Sequence, residues 1–366
     1  MNMRGPAPAE RKCEPMADTF FDQNMPLLQS FATMSQTVGA RADYVQGGGG
    51  NTSVKLDRGL MAIKASGFRL SDVRHDAAYA VLDCDALRGF YLSHKVSDFS
   101  DVESAGSAAA KEATMTISGL LALRPSVEAG FHSLLDRFVI HSHSVYANLA
   151  TCAVQGREIV AEAFKKAPYS CGFVPYVDPG ARLTFTIKDE LERVERETGS
   201  RPGVIFMENH GVIAHGDTLE QATHLHEDAN ARIASAFGLR TNAFPVQNLE
   251  GYIAQRISTG KYDKTFFIDS PLYPDQMVFL IGTLGFGAGD PPSGECLLDL
   301  ETGKLRFSMS DAQARTITET IAAVLFIKEH VENKGYTLST MGEAAKAFIA
   351  NWESEKYRKS LAGGKQ

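Results

Sequence analysis

The stretch Ser126–Tyr146, SVEAGFHSLLDRFVIHSHSVY, constrains this chain more than any other. It carries two patterns of different period. In SVEAGFHSLL the apolar Phe131, Leu134 and Leu135 recur at helical spacing, and Glu128 and His132, four apart, fall on one helix face. Asp136 and Arg137 break that pattern, and FVIHSH reads as a short strand. Residues two apart on a strand point to the same side, so His141 and His143 project together. This makes a pincer for one metal ion, with a carboxylate arriving from the helix before it. The plainer alternative is a pair of half-buried surface histidines.

Size and composition narrow the field. A chain of 366 residues exceeds what one core usually holds, so two domains are expected. A net charge of −7 gives no reason to expect a nucleic acid or an anionic membrane as partner. No apolar run approaches the roughly 20 residues of a membrane span. The start, MNMRGPAPAERKCEPMADTF, lacks the apolar core of a secretory signal, and residues 1–18 are expected to be a disordered extension. The cysteines Cys13, Cys84, Cys152, Cys171 and Cys296 are odd in number and form no C-x-x-C pair. That favours a reduced, cytoplasmic protein with neither structural disulfides nor a cysteine-type zinc site.

Read in order, FDQNMPLLQSFATMSQTV predicts a helix capped near Asp22. It leads into QGGGGNTSVKL, where four glycines let the backbone approach a ligand closely or simply form a flexible turn. SVKL and LMAIKAS read as a hairpin turning at Asp57–Gly59. The small polar residues Asn51, Thr52 and Ser53, and then Lys64-Ala65-Ser66-Gly67, offer donors suited to an anion such as phosphate. The spacing is neither that of a Walker loop nor that of a dinucleotide fold. AAYAVLDCDALRGF reads as a strand and turn, and a helix is expected from Ala108 to Leu123. VIFMENHGVIA is strand-like on both sides of a turn at Asn209-His210-Gly211. In the helix after it, His224 and His226 are two apart and cannot face one metal together, so they read as surface or packing residues.

Taken together, GGGGNTS, KASG, S-x-E-x-x-x-H, H-S-H-S-x-Y, VPYVDPG and ENHGVIAHGDTLEQA resemble, in order and spacing, the motifs of the class II aldolase/adducin family. The resemblance covers about Phe20 to Leu239. Within the family the chain looks most like the aldolase half of bacterial rhamnulose-1-phosphate aldolase/short-chain dehydrogenase-type proteins. It implies an α/β fold: a three-layer α/β/α domain with a central, mostly antiparallel sheet over residues 19–242. Residues 243–366 would form a smaller C-terminal α/β domain, with strands at KTFFID, DQMVFLIG and LRFS and helices at ARTITETIAAVLFIKEHVE and GEAAKAFIANWESEKYRKS. The glycine-rich GTLGFGAGD at 282–290 lacks dinucleotide spacing and reads as a loop.

The resemblance also implies roles. His141, His143 and His210 match the family's ligands for Zn2+, a site that Mn2+, Co2+ or Fe2+ would also suit. Glu128 matches the acid/base residue. Gly50, Asn51, Ser53, Ser66, Gly67 and Ser126 match positions that hold the substrate phosphate, although Val127 stands where the family often has a second hydroxyl. His132 is expected to support rather than ligate. A tyrosine, Tyr146 or Tyr176, would relay a proton to the leaving aldehyde, in relatives across a subunit boundary, so a homotetramer is expected. The implied activity is cleavage of a phosphorylated ketose to dihydroxyacetone phosphate and an aldehyde through a metal-stabilised enediolate. Epimerase, dehydratase and decarboxylase chemistry would use the same parts, and a non-catalytic adducin-like binding module is the reading from a different class.

Overall fold

The computed structural model describes residues 19–260 and 262–351, so the extension expected over 1–18 and the end of the last expected helix lie outside the described residues. Eight strands form the central sheet: β1 (Asn51–Lys55), β2 (Leu60–Lys64), β3 (Tyr79–Asp83), β4 (Thr114–Met115), β5 (Phe138–Ser142), β6 (Cys171–Val174), β7 (Val204–Met207) and β8 (Gly211–Gly216). Their order is β4-β3-β2-β1-β5-β8-β7-β6, and every neighbouring pair is antiparallel except β6 with β7. The period-two pattern divides each strand between two cores. Ala62, Val81, Ile140 and Ala214 point into one, while Met61, Ile63, Leu82, Val139 and Ile213 point into the other side.

Helices cover both faces. On the first lie α1 (Phe20–Gly39), α5 (Val145–Thr151), α6 (Gly156–Phe164) and α8 (Leu219–Ala236). On the second lie α2 (Cys84–Ser93), α3 (Val102–Ala113), α4 (Ala129–Leu134) and α7 (Ala181–Thr198). This is the expected three-layer α/β/α arrangement around a mostly antiparallel sheet. Each fully buried Leu, Ile or Phe in these layers adds about 1.5–3 kcal/mol of transfer free energy.

Beyond residue 242 come α9 (Leu249–Thr259), α10 (Lys264–Ile268), α11 (Pro274–Leu280), α12 (Asp311–Asn333) and α13 (Glu343–Asn351). A small sheet of β9 (Leu284–Phe286), β10 (Cys296–Leu298) and β11 (Leu305–Phe307) accompanies them in the order β11-β10-β9. Tyr252, Ile253, Phe267, Leu272 and the run Ile321–Ile327 share the first core with α1, α5 and α8. Helix α12 is buried nearly all round in its middle turns, as a helix apolar on every face must be.

Several local expectations are corrected: the turn expected after the strand at 79–83 is the helix α2, and the loop expected at 282–290 carries the strand β9. KTFFID and most of DQMVFLIG form the helices α10 and α11 instead of strands. Asp263 caps the first by accepting from Phe266 N, and Pro274 opens the second, so capping decides where a short apolar run is ambiguous. The helix expected at 108–123 runs from Val102 to Ala113, started by Asp101, after which Thr114 and Met115 pair with β3. Helix α1 is capped by Thr19, with Asp22 as the reciprocal partner of a capping box.

His226 on α8 is fully buried, with Nε2 at 2.7 Å from Ser142 Oγ and its ring edge-on to Tyr44. Burial, with the Arg41 charge adding to it, pushes its pKa down to about 3. The unfolded chain therefore binds a proton below about pH 6.5 that the folded chain refuses. That stability is present above pH 6.5 and falls as the pH drops toward 3. In urea unfolding at pH 7 and pH 5, His226→Gln should flatten the pH slope by up to about 1.4 kcal/mol per pH unit. An unchanged slope would place the proton uptake elsewhere.

Candidate metal centre

The site is built on three adjacent strands, β1, β5 and β8. In the register, Asn51 lies opposite His141, which lies opposite Ile213. His141 is inside β5, and His143 follows its end by one residue. His210 immediately precedes β8, in a turn where Asn209 takes φ 49° and His210 N–H donates to Met207 O at 3.1 Å. Gly211 completes that turn because a Cβ there would stand 2.2 Å from Ser142 O. The three imidazoles meet with ring centroids 4.9, 5.0 and 5.1 Å apart. One donor nitrogen from each lies within 4.8 Å of the others, and all three residues are buried.

Glu128 completes the cluster from the opposite side. Its Oε1 is 3.3 Å from His210 Nε2 and its Oε2 is 3.6 Å from His141 Nε2. Asn51 Nδ2 donates to Glu128 Oε2 at 2.5 Å and to Ser126 Oγ at 3.0 Å. His132 lies behind, its Nε2 against Asn51 Oδ1 and its Nδ1 2.7 Å from Ser53 Oγ. Glu128 and His132, one turn apart, meet on the two ends of the Asn51 amide. Helix α4 begins at Ala129, so Glu128 is its flanking residue and faces the histidines, while His132 turns to the side chains of β1. A carboxylate at the helix entrance is freer to aim than one within a turn.

The donor set suits a divalent cation. His143 Nδ1 donates to Asp275 Oδ2 at 2.5 Å and His141 Nδ1 to Val212 O at 3.2 Å. Both Nε2 lone pairs are thereby turned inward, only 3.1 Å from each other. Two buried lone pairs so close repel unless a proton or a cation lies between them. Protonation is disfavoured: burial pushes the His141 pKa down to about 3, with His143 and His210 adding to the effect and the Glu128 charge opposing it. Burial raises the Glu128 carboxyl, but attraction to His141, His210 and His143 outweighs it and holds the group well below the ordinary carboxylate range. Glu128 Oε1 and His210 Nδ1 are buried without a hydrogen-bond partner among the described residues. Three imidazoles with a carboxylate alongside match the ligand preferences of Zn2+ and its neighbours.

The other residues singled out in the sequence divide into two groups. Gly50 passes so close to His141 O that a Cβ would lie 2.6 Å from it. Ala65 bridges Pro125 and Ser66 N–H donates to Arg124 O at 3.0 Å, which sets the Ser66–Gly67 turn beside Ser126. Lys64 Nζ ties that turn to the glycine loop through Phe68 O at 2.8 Å and Gly48 O at 3.2 Å. Tyr146 is directed elsewhere: its hydroxyl accepts from Phe244 N–H at 3.2 Å and its ring packs edge-on to Phe326. Tyr176 donates to Asp178 Oδ1 at 3.1 Å and packs against the apolar cluster of Met277, Phe279 and Met341. Asp275 was not found from sequence. Pro274 marks a helix start that could have been read, but nothing local links that start to His143.

Comparison with known proteins places the chain. The model of the Class II Aldolase and Adducin N-terminal domain matches residues 29–234, and the chain belongs to that family. No curated protein matches it. Among solved structures, the N-terminal class II aldolase domain of a conserved protein from Thermoplasma acidophilum is 23% identical with a TM-score of 0.46, over 63% of this chain and 99% of that one. YgbL from Klebsiella pneumoniae, described with the alternatives aldolase, epimerase and decarboxylase, is 18% identical with a TM-score of 0.40, over 59% of this chain and 90% of its own. An L-fuculose 1-phosphate aldolase is 16% identical with a TM-score of 0.38, over 57% of this chain and 83% of its own.

Asn209 sets the turn that presents His210. Its buried amide donates to Leu272 O at 2.8 Å and to Ser339 O at 2.9 Å, and its Oδ1 accepts from Ser339 Oγ at 2.9 Å. Asn209→Ala removes these bonds and puts alanine at a positive φ, so it should cost about 2–4 kcal/mol in urea unfolding. Asn209→Gly, which loses the bonds but accepts the backbone angle, should recover about 1 kcal/mol of that. Equal losses for the two variants would remove the backbone part of the argument.

Proposed function

We propose that this chain is a divalent-metal-dependent aldolase that cleaves a phosphorylated ketose between C3 and C4 into dihydroxyacetone phosphate and an aldehyde. The observation that carries the reading is the convergence of His141, His143, His210 and Glu128 in one buried cluster. The three histidines would hold the metal. When bound, the ion supplies Lewis-acid stabilisation of the negative charge that builds up on the enediolate, a contribution of several kcal/mol.

The remaining work falls to the chain. As the C3–C4 bond breaks, its electron pair stays on C3 and the C4 hydroxyl passes its proton to solvent water to become the aldehyde. Glu128 takes a proton from solvent and delivers it to C3, and in the synthetic direction it removes that proton from C3. The Asn51 amide fixes the carboxylate's orientation. Ser53 and His132 hold Asn51 in turn, so these residues support Glu128 from behind. Gly50, Ser66, Gly67 and Ser126 border the same side and would receive the phosphate through backbone N–H groups and hydroxyls. Asn51 and Ser53 spend their side chains on the Glu128 network, and Ser126 Oγ accepts from Asn51 Nδ2, so Ser126 would offer the phosphate its hydroxyl proton.

The decisive assay follows the C3 proton of dihydroxyacetone phosphate as it exchanges with solvent deuterium, with metal content read on the same sample. Wild-type protein should exchange it in a chelator-sensitive manner. Glu128→Gln should keep the metal and lose exchange by about 100-fold or more. His141→Ala should lose both metal and exchange. Exchange that persists in metal-free His141→Ala would overturn the centre. A metal-loaded wild type without exchange would reject the aldolase reading in favour of a dehydratase, a decarboxylase or a different donor.

A further inference from the structure

We propose that Asp275 is a positioning residue of the metal centre, supplied by the segment that follows the family domain, and that it fixes His143 with Nε2 directed at the ion. The inference rests on the metal-centre reading above. The family match ends at residue 234, so Asp275 lies outside the part of the chain that the resemblance describes.

The geometry is specific to one carboxylate. Asp275 is the second residue of α11 and fully buried, with Oδ2 2.5 Å from His143 Nδ1. A carboxylate can only accept there, so His143 Nδ1 carries the proton and Nε2 keeps its lone pair. The glycine loop makes room for the pair. A Cβ on Gly49 would stand 2.0 Å from Asp275 Oδ2 and 2.9 Å from His143 Nδ1. This explains a bare backbone at that position without any ligand.

The residues beside Asp275 grip the same region. Leu272 O accepts from the Asn209 amide that sets up His210. Tyr273 donates its hydroxyl to Gln46 Oε1 at 3.0 Å, at the mouth of the glycine loop, and its ring stands edge-on to His143 at 6.1 Å. Farther along, Glu319 on α12 accepts from Gly47 N–H at 3.1 Å. The four residues 272–275 thus touch one histidine directly, a second through Asn209, and the loop between them. Such a clamp on both His143 and His210 is not supplied by the sheet, whose strands hold only His141 of the three within their ladder.

The test uses the full chain as wild type, Asp275→Asn and Gly49→Ala. The first variant keeps the shape and removes the charge; the second keeps the carboxylate and forces it from the imidazole. Affinities for Co2+ and Zn2+ are read by competition with a chelating dye. The histidine tautomers of the metal-free proteins are read by nitrogen-15 NMR of histidine-labelled samples. Wild-type His143 should show the Nδ1-protonated tautomer. Both variants should keep native circular dichroism, lose about 10–100-fold in metal affinity, and lose that single tautomer. If Asp275→Asn fails to fold, Gly49→Ala alone decides. Folded variants with wild-type affinity and an unchanged His143 tautomer would overturn the role of Asp275 while leaving the centre standing. A wild type that takes up neither metal would overturn the centre, and the positioning role with it.

Discussion

Four polar side chains packed where water does not reach set the terms for everything around them. His141, His143, His210 and Glu128 are each buried, and a buried polar group without a partner costs about 1–3 kcal/mol, more if charged. Their neighbours are therefore chosen for hydrogen bonding as much as for packing. Val212 O, Asp275 and Asn51 engage His141, His143 and Glu128, which turns the Nε2 atoms of the two histidines inward for a cation. Without that shell, rotation of a single imidazole would relieve the repulsion between the facing lone pairs and dismantle the site.

The shell comes from two sources with different mechanical character. The sheet contributes β1, β5 and β8, whose ladder holds Asn51, His141 and Val212 in a register that cannot slip by one residue without exchanging the two cores. The segment after residue 242 contributes α11 and α12, which meet the site through side chains and are held by the apolar core they share with α1, α5 and α8. The first is a local, strongly cooperative constraint; the second depends on long-range packing. A change in the core beneath α12 can therefore alter the site without touching a residue in it.

Much of this was legible in the sequence, for identifiable reasons. The spacing of His141 and His143 at the end of one strand was readable because the pleat sends residues two apart to the same side, and His143 keeps that side just past the end of β5. The Asn-His-Gly turn announced itself through a glycine that close backbone approach requires. Less was legible where the local pattern allowed two answers. Glu128 and His132 have helical spacing, but that they would meet through the Asn51 side chain on β1 could not be read from it. KTFFID has the composition of a strand, and a capping aspartate makes it a helix. Tyr146 stands next to the histidine motif in sequence, but α5 carries its hydroxyl to Phe244.

By itself, then, the sequence determined which residue types stand at which spacing, and so the strands, the turn at Asn209, the α/β layering and the family. These depend on backbone geometry over a few residues, which neighbours in the chain dictate. Only the tertiary structure decided that Asp275, 132 residues from His143, meets it at 2.5 Å, that His132 backs Asn51, and that the glycine loop yields space to a carboxylate. Such contacts are made by chain segments whose approach is set by core packing, and periodicity marks which face of a segment is buried but not which distant segment it meets.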